Sequence, residues 1–301
     1  MTSPLQIYSG YTDEDITMLK SFVKQNATLE NDYYIDGFSQ KTLYKSVAFS
    51  TNFNLERLTL PVPDDGLHAE ALEYIGVCDS VHRAKGTYCI IELGSAWGPW
   101  ISLGGVVARN HGIKTIDLVG VEAHPERFSL LKNQLVANEL RPDTIQNATE
   151  IDGIRCRLIQ GAASSEHKTL WFPKVDIKDM GAAASETNTS SDYRGLTAEN
   201  FPVEGFTLKE IIGDLTVDLL HIDIQGAEFD VVNSGITTIN SQVKSMLIGT
   251  HSRVIEGKLI ETLYKHRWYL HREKPCRVSW LASPQSLEAM TQTDGTQYWR
   301  R

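Results

Sequence analysis

From Tyr88 onward, short unbroken apolar runs alternate with helix-like segments, and this alternation constrains the fold more than any other feature. "YCIIEL" precedes a helix opening near Pro99, and "DLVGVEA" precedes a helix through "ERFSLLKNQLVANEL". "RCRLIQGA", "VDLLHIDI" and "VKSMLIG" follow, with a helix from Gly226 between the last two. A strand apolar at every position is covered on both faces, as parallel strands joined by crossover helices are. The predicted fold is α/β: a doubly wound, mostly parallel open sheet with ligands at the carboxyl ends of its strands. "WYLHREKP" and "RVSWLAS" read as two further strands, an antiparallel pair at one edge.

Before Tyr88 the pattern is different. Thr12 to Asp15 spells a capping box, followed by a helical stripe of Ile16, Leu19, Phe22 and Val23. Aromatic and β-favouring residues around Asp36-Gly37 predict a hairpin or turn, "LTLPVPDDG" a linker, and Leu67 to Ala84 a second helix. Residues 1–85 are thus expected to form an N-terminal extension packed on a main domain of residues 86–301. Residues 176–205 are polar, rich in small residues and aperiodic, and read as one long loop. Such a loop is either a lid or a mobile excursion.

The turn after the first strand carries the chemistry. In "IELGSAWGPW", Gly94 and Gly98 bracket Ser95, Ala96 and Trp97, and Pro99 suits the first turn of a helix. A glycine turn between strand and helix brings a nucleotide-like ligand over the helix N-terminus. Glu122 ends the next strand, where nucleotide-binding folds place the carboxylate that accepts from ribose hydroxyls. A dinucleotide fingerprint has three glycines. Here there are two, with Glu92 just before them, and a glutamate there repels a pyrophosphate but suits an ammonium.

That turn resembles the first motif of class I S-adenosylmethionine-dependent methyltransferases. "VDLLHIDIQGAEFDVV" and "IGTHSRVIEG" narrow the resemblance to the FkbM methyltransferase family over roughly Pro63 to Pro275. It implies a Rossmann-like, seven-stranded sheet and O-methyl transfer from S-adenosylmethionine to a hydroxyl of a sugar, polyketide or other specialised metabolite. Glu92, Gly94, Ser95, Ala96, Trp97, Gly98, Glu122, Ala123, His124, Gly161, Ala162 and Asp223 are the expected cofactor contacts. Trp97 is expected over the methionine or ribose part, and Trp100 inward against the second strand. Gly161 and Ala162 are expected to pack under the adenine.

An alcohol barely ionises at neutral pH, so its proton must go to a base or its oxygen to a metal. His251, at the fifth strand's end, is the expected general base, because histidine titrates near neutrality. Asp223, at the fourth, holds the cofactor, orients His251 or binds a metal. Glu228 reads as an ordinary acid in a helix first turn. Asp223, Glu228 and His251 would together suit magnesium. His68 and Glu70 open the helix before the first strand, and Arg253 either meets an acidic substrate or pairs with Glu256.

The acidic balance, 38 acidic against 29 basic side chains, argues against a nucleic-acid partner. No apolar run is long enough for a membrane span, and the first residues lack the pattern of a signal peptide. Four widely spaced cysteines without C-x-x-C suit a reduced, cytoplasmic setting. The expected partner is a small molecule with a free hydroxyl, and the N-terminal extension is a candidate surface for homo-oligomerisation. Two alternatives remain: a nicotinamide-dependent oxidoreductase, and a non-catalytic binding module that retains the fold.

Overall fold

The computed structural model describes residues 10–44, 71–140, 149–151, 153–189, 197–280, 282–283 and 288–301. The expected linker, His68, Glu70 and the start of the helix from Leu67 lie outside them.

The apolar runs form the parallel centre of one sheet. Strands β4 (Thr87–Leu93), β5 (Thr115–Glu122), β7 (Ile154–Gln160), β11 (Leu219–Ile222) and β12 (Ser245–Thr250) stand in the order β12-β11-β4-β5-β7, all parallel. Neighbouring residues of β4 explain why its run is unbroken. Tyr88 and Ile90 join the core on one face, while Cys89, Ile91 and Leu93 join the core on the other. Helices α2 (Ala71–Arg83), α3 (Pro99–Asn110) and α4 (Pro125–Ala137) cover the first face. Helices α5 (Leu208–Ile212), α6 (Glu228–Ser234), α7 (Ile236–Gln242) and α8 (Arg253–Lys265) cover the second. Chain order runs outward from β4 to β7 and then returns to β11. The switch point therefore lies between the carboxyl ends of β4 and β11, where such sheets bind ligands.

The expected edge pair is wrong in one partner. Strand β13 (Tyr269–Lys274) pairs not with "RVSWLAS" but with β16 (Gly295–Arg300), which lies antiparallel between β13 and β12. Polar side chains hid this strand: Thr296 and Gln297 are buried, and Gln297 bonds Glu273 and Trp299. Arg277–Val278 (β14) instead pairs with Thr291–Thr293 (β15). Seven long strands result, extended at the other edge by the short antiparallel β6 (Thr149–Ile151).

The long loop also needs correction. Its last part is strand β10 (Asn200–Phe206), paired antiparallel with β9 (Lys168–Pro173) and parallel with β8 (Ala162–Ala163). Pro202 and Gly205 concealed its strand character.

Helix α1 (Asp13–Phe22) opens with the expected capping box, and Asp15 also pairs with Arg272 of β13 at 2.7 Å. Leu19 and Phe22 enter the core beside Tyr74 and Ile75 of α2, so both helices bury against the sheet. Strands β1 (Thr28–Glu30), β2 (Tyr33–Ile35) and β3 (Lys41–Thr42) form a small sheet whose turn includes Asp36-Gly37. Gln40 donates to Pro99 O at 2.7 Å and Gln134 donates to Lys41 O at 2.8 Å, which ties this sheet to α3 and α4 beside the glycine loop.

Candidate active site

The loop from Gly94 to Gly98 is shaped by contacts that leave no room for side chains at its ends. Gly94 has φ +74°, and a Cβ there would lie 1.8 Å from the Asp223 carbonyl oxygen. Gly98 has φ +79°, and a Cβ would meet Leu131 at 2.3 Å. Between them Ala96 also takes a positive φ, 46°. Its amide donates to Glu122 Oε2 at 2.7 Å, while Glu122 Oε1 accepts from the His124 amide at 2.7 Å. Ser95 donates to Glu92 O and accepts from the Val121 amide, so its hydroxyl staples the two strand ends.

Glu92 also caps the helix that follows the loop. Its carboxylate accepts from the amides of Trp100 (3.3 Å) and Ile101 (2.9 Å), the first turn of α3. Gly98, as N-cap, has no side chain to satisfy them. Burial pushes the Glu92 pKa up to about 7, against the opposing charge of His221 and the two amides.

These elements enclose a cavity of about 430 Å³, a size suited to a small-molecule ligand. Glu92, Gly94, Ser95, Ala96, Trp97, Glu122, Ala123, Gly161, Ala162 and Asp223 line it, whereas Gly98, packed against Leu131, is not in the lining. Gly161 lies so close to Glu204 O that a Cβ would approach it to 2.6 Å. Trp97 lines the cavity and packs with Tyr34. Trp100 sits edge-on to Tyr74 of α2 at 5.1 Å, inside the core cluster that also holds Ile116 and Leu118 of the second strand.

His124 is the clearest misplacement. Its Nδ1 accepts from the amides of Glu126 and Arg127 and its Nε2 faces Val175 O at 3.2 Å, so it caps α4 outside the cavity lining. Its neighbour Arg127 does line the cavity, donating to Ile177 O (3.0 Å) and Asp179 O. These bonds hold the start of the long loop, and Met180 and Ala182 to Ala184 close that side of the cavity.

At the end of β11, Asp223 faces the cavity with His251 behind it, outside the lining. His251 Nε2 lies 3.3 Å from Asp223 Oδ1, and Nδ1 lies 2.8 Å from Glu228 Oε1. Burial opposes a charge on His251. The Glu228 charge and the bonds to Asp223 and Glu228 outweigh it and hold the pKa well above the usual histidine value. Burial also tends to raise the Asp223 pKa, but its bond to His251 and the neighbouring histidine charges bring it below the ordinary range. Arg253 pairs with Glu256 at 3.1 Å.

Glu73 and His221 also line the cavity, and sequence reasoning missed both. Their signal is a charged or polar residue inside an otherwise apolar stretch, "ALEYIGVC" and "VDLLHIDI".

A doubly wound seven-stranded sheet, a glycine loop at its switch point and a carboxylate on the adjacent strand end define the Rossmann-like class I methyltransferase fold. The FkbM methyltransferase domain matches residues 100–266. A protein of Jannaschia sp. (strain CCS1) named "Putative methyltransferase" is 33% identical over 222 residues, 71% of this chain and 74% of that protein. The chain belongs to the FkbM methyltransferase family. The crystal structure of methyltransferase FkbM from Methylobacillus flagellatus KT aligns at 12% identity and TM-score 0.43, covering 76% of this chain. The match spans 54% of that protein, about half its length. A precorrin-6Y C5,15-methyltransferase from Geobacter metallireducens GS-15 aligns at 8% identity and TM-score 0.41, over 80% of this chain and 92% of that one. Family membership favours methyl transfer over a nicotinamide-dependent oxidoreductase. Among the described residues no helix is long and apolar enough to cross a membrane.

Proposed function

We propose that this protein is an S-adenosylmethionine-dependent O-methyltransferase acting on a hydroxyl of a sugar, polyketide or other specialised metabolite. The observation that best supports this reading is the Asp223 carboxylate at the cavity wall, beside the glycine loop and backed by His251 and Glu228. Bound S-adenosylmethionine supplies a methyl group already activated by its sulfonium. Glu122 would take the ribose hydroxyls, and Gly161 and Ala162 would lie under the adenine. Asp223 orients the acceptor hydroxyl and takes its proton as the oxygen–methyl bond forms. His251, held as an imidazolium, is not a proton acceptor; it positions Asp223 instead. The size of the cavity and the acidic balance support a small-molecule acceptor, and four buried free cysteines support a reducing, cytoplasmic setting.

Asp223, Glu228 and His251 bring ligand atoms within 4.8 Å of one another, so the magnesium reading bears on these residues. Glu228 Oε1, however, already faces His251 Nδ1 and the amides of Ile224 and Gly226. An ion at Glu228 Oε1 would have to compete with the bond to His251 Nδ1 and with those amides. The hydrogen bonding supports a metal-independent reaction.

The test is turnover of methyl-labelled S-adenosylmethionine with a panel of sugar and polyketide alcohols, with and without EDTA. Oxygen-methylated product formed equally in both, and lost in Asp223→Asn, is expected. Methylation at nitrogen or carbon would overturn the hydroxyl assignment, and loss of activity in EDTA restored by magnesium would overturn the metal-free one.

A further inference from the structure

Behind the glycine loop, the cavity floor carries a buried ionic group that proton transfer does not use. Glu73 of α2, Glu92 of β4 and His221 of β11 all line the cavity and are 3%, 1% and 1% exposed. Strand register sets His221 beside Glu92, and His221 Nε2 lies 3.3 Å from Glu73 Oε1. The second ring nitrogen, Nδ1, is buried and has no hydrogen-bond partner among the described residues. A buried polar nitrogen left unpaired is costly, so its place on a residue of the cavity wall points to a ligand atom that completes it. Burial works against a charge on His221, but the bond to Glu73 and the charges of Glu92, Glu73 and Asp223 prevail and raise its pKa. In the protonated form that this shift favours, both ring nitrogens are donors.

We infer that Glu73 and His221 hold the amino-acid end of S-adenosylmethionine, with His221 Nδ1 donating to its carboxylate and Glu73, together with Glu92, taking its ammonium. The inference rests on the cofactor proposed above and extends it to residues outside the glycine loop. Its geometry follows from the three arms of the sulfonium. With the ribose at Glu122 and the methyl at Asp223, the remaining arm runs to the polar wall that these residues form. A zwitterion needs a cationic donor and anionic acceptors side by side, and away from water such charge-assisted bonds are strong.

The experiment compares calorimetric affinities for S-adenosylhomocysteine and 5′-methylthioadenosine, which shares the adenosine but lacks the amino-acid end. The wild type is expected to prefer S-adenosylhomocysteine by about tenfold or more, the worth of roughly one charge-assisted bond. His221→Gln, whose amide reaches the Nε2 position, and Glu73→Gln should each cut that preference to within about threefold while leaving methylthioadenosine binding unchanged. His221→Asn, whose amide nitrogen falls near Nδ1, should keep most of it. A full preference in both glutamine variants overturns the inference. Should His221→Gln lose methylthioadenosine binding as well, Glu73→Gln decides by the same two outcomes. A wild type that binds neither ligand overturns the cofactor reading itself.

Discussion

His251 Nδ1 lies 2.8 Å from Glu228 Oε1 while its Nε2 lies 3.3 Å from Asp223 Oδ1, so one imidazole joins a fully buried carboxylate to one at the cavity wall. Glu228 also accepts from the amides of Ile224 (3.2 Å) and Gly226 (3.0 Å), which fixes the turn between Asp223 and α6. Sequence alone made Glu228 an ordinary acid of a helix first turn. Its burial and its bonds to three partners make it the anchor of the site.

Removing that anchor should be costly. Glu228→Ala leaves an imidazolium and two turn amides without their acceptor, and breaking a buried pair from one side costs about 3–5 kcal/mol. Urea denaturation should show a loss of that size, with a smaller one for Glu228→Gln, which keeps an acceptor oxygen for the amides. Wild-type stability in Glu228→Ala would mean that the network is not formed.

If His251 positions Asp223 and is not itself the base, His251→Gln should lower methyl transfer by about tenfold or more and change S-adenosylhomocysteine affinity by less than about twofold. The pH profile separates the two roles. Asp223 is held below the ordinary carboxylate range and His251 well above the usual 6.5, so neither titrates near neutrality. A limb near neutrality should therefore come from other groups, such as Glu92 near 7, and should persist in His251→Gln. A limb centred near 6.5, absent in His251→Gln, would make His251 the base after all.

The parallel core was legible because a strand buried on both faces must be apolar throughout, and "YCIIEL" or "VKSMLIG" carries that demand without ambiguity. The glycine loop, Glu122 and Asp223 were legible for a related reason: strand order places the ends of β4, β5 and β11 together. What failed was whatever depends on partners distant in sequence. Gln297 satisfies its amide on Glu273 and Trp299, so a strand could be polar and still buried. His124 sits at a predicted site position, yet it turns to the free amides of a helix start. His221 looked like one polar residue in an apolar strand, because Glu73 is 148 residues away.

Gly94 and Gly86 allow a matched comparison of close approach with backbone conformation alone. Both have positive φ, +74° and +79°. A Cβ on Gly94 would overlap the Asp223 carbonyl at 1.8 Å, whereas nothing lies within 4 Å of one on Gly86. Gly86→Ala should therefore cost only the left-handed conformation, about 1–2 kcal/mol. Gly94→Ala should cost more than twice as much, because β4 and β11 must move apart, and should abolish S-adenosylhomocysteine binding. Equal losses of stability in urea would show that the two strand ends are not in contact as described.

The acid side of the stability profile should carry the signature of His271. On β13 its ring lies edge-on to Tyr298 at 5.7 Å, with Arg272 and Arg300 nearby. Burial, reinforced by the charges of Arg300 and Arg272, lowers its pKa from 6.5 to about 4. Between those values the unfolded chain binds the proton and the folded chain does not, so stability rises with pH. The contribution is fully present above about 6.5 and is lost progressively as pH falls toward 4. Glu92 works in the opposite sense, since its folded pKa of about 7 lies above the usual 4.5, and stability from that group falls as pH rises through the same range. Comparison with His271→Gln cancels the Glu92 effect, which both proteins share. Urea midpoints measured from pH 4 to 7 should converge at the acid end and separate toward neutrality by less in the variant than in the wild type. Parallel curves for the two proteins would mean that His271 titrates as it does in the unfolded chain.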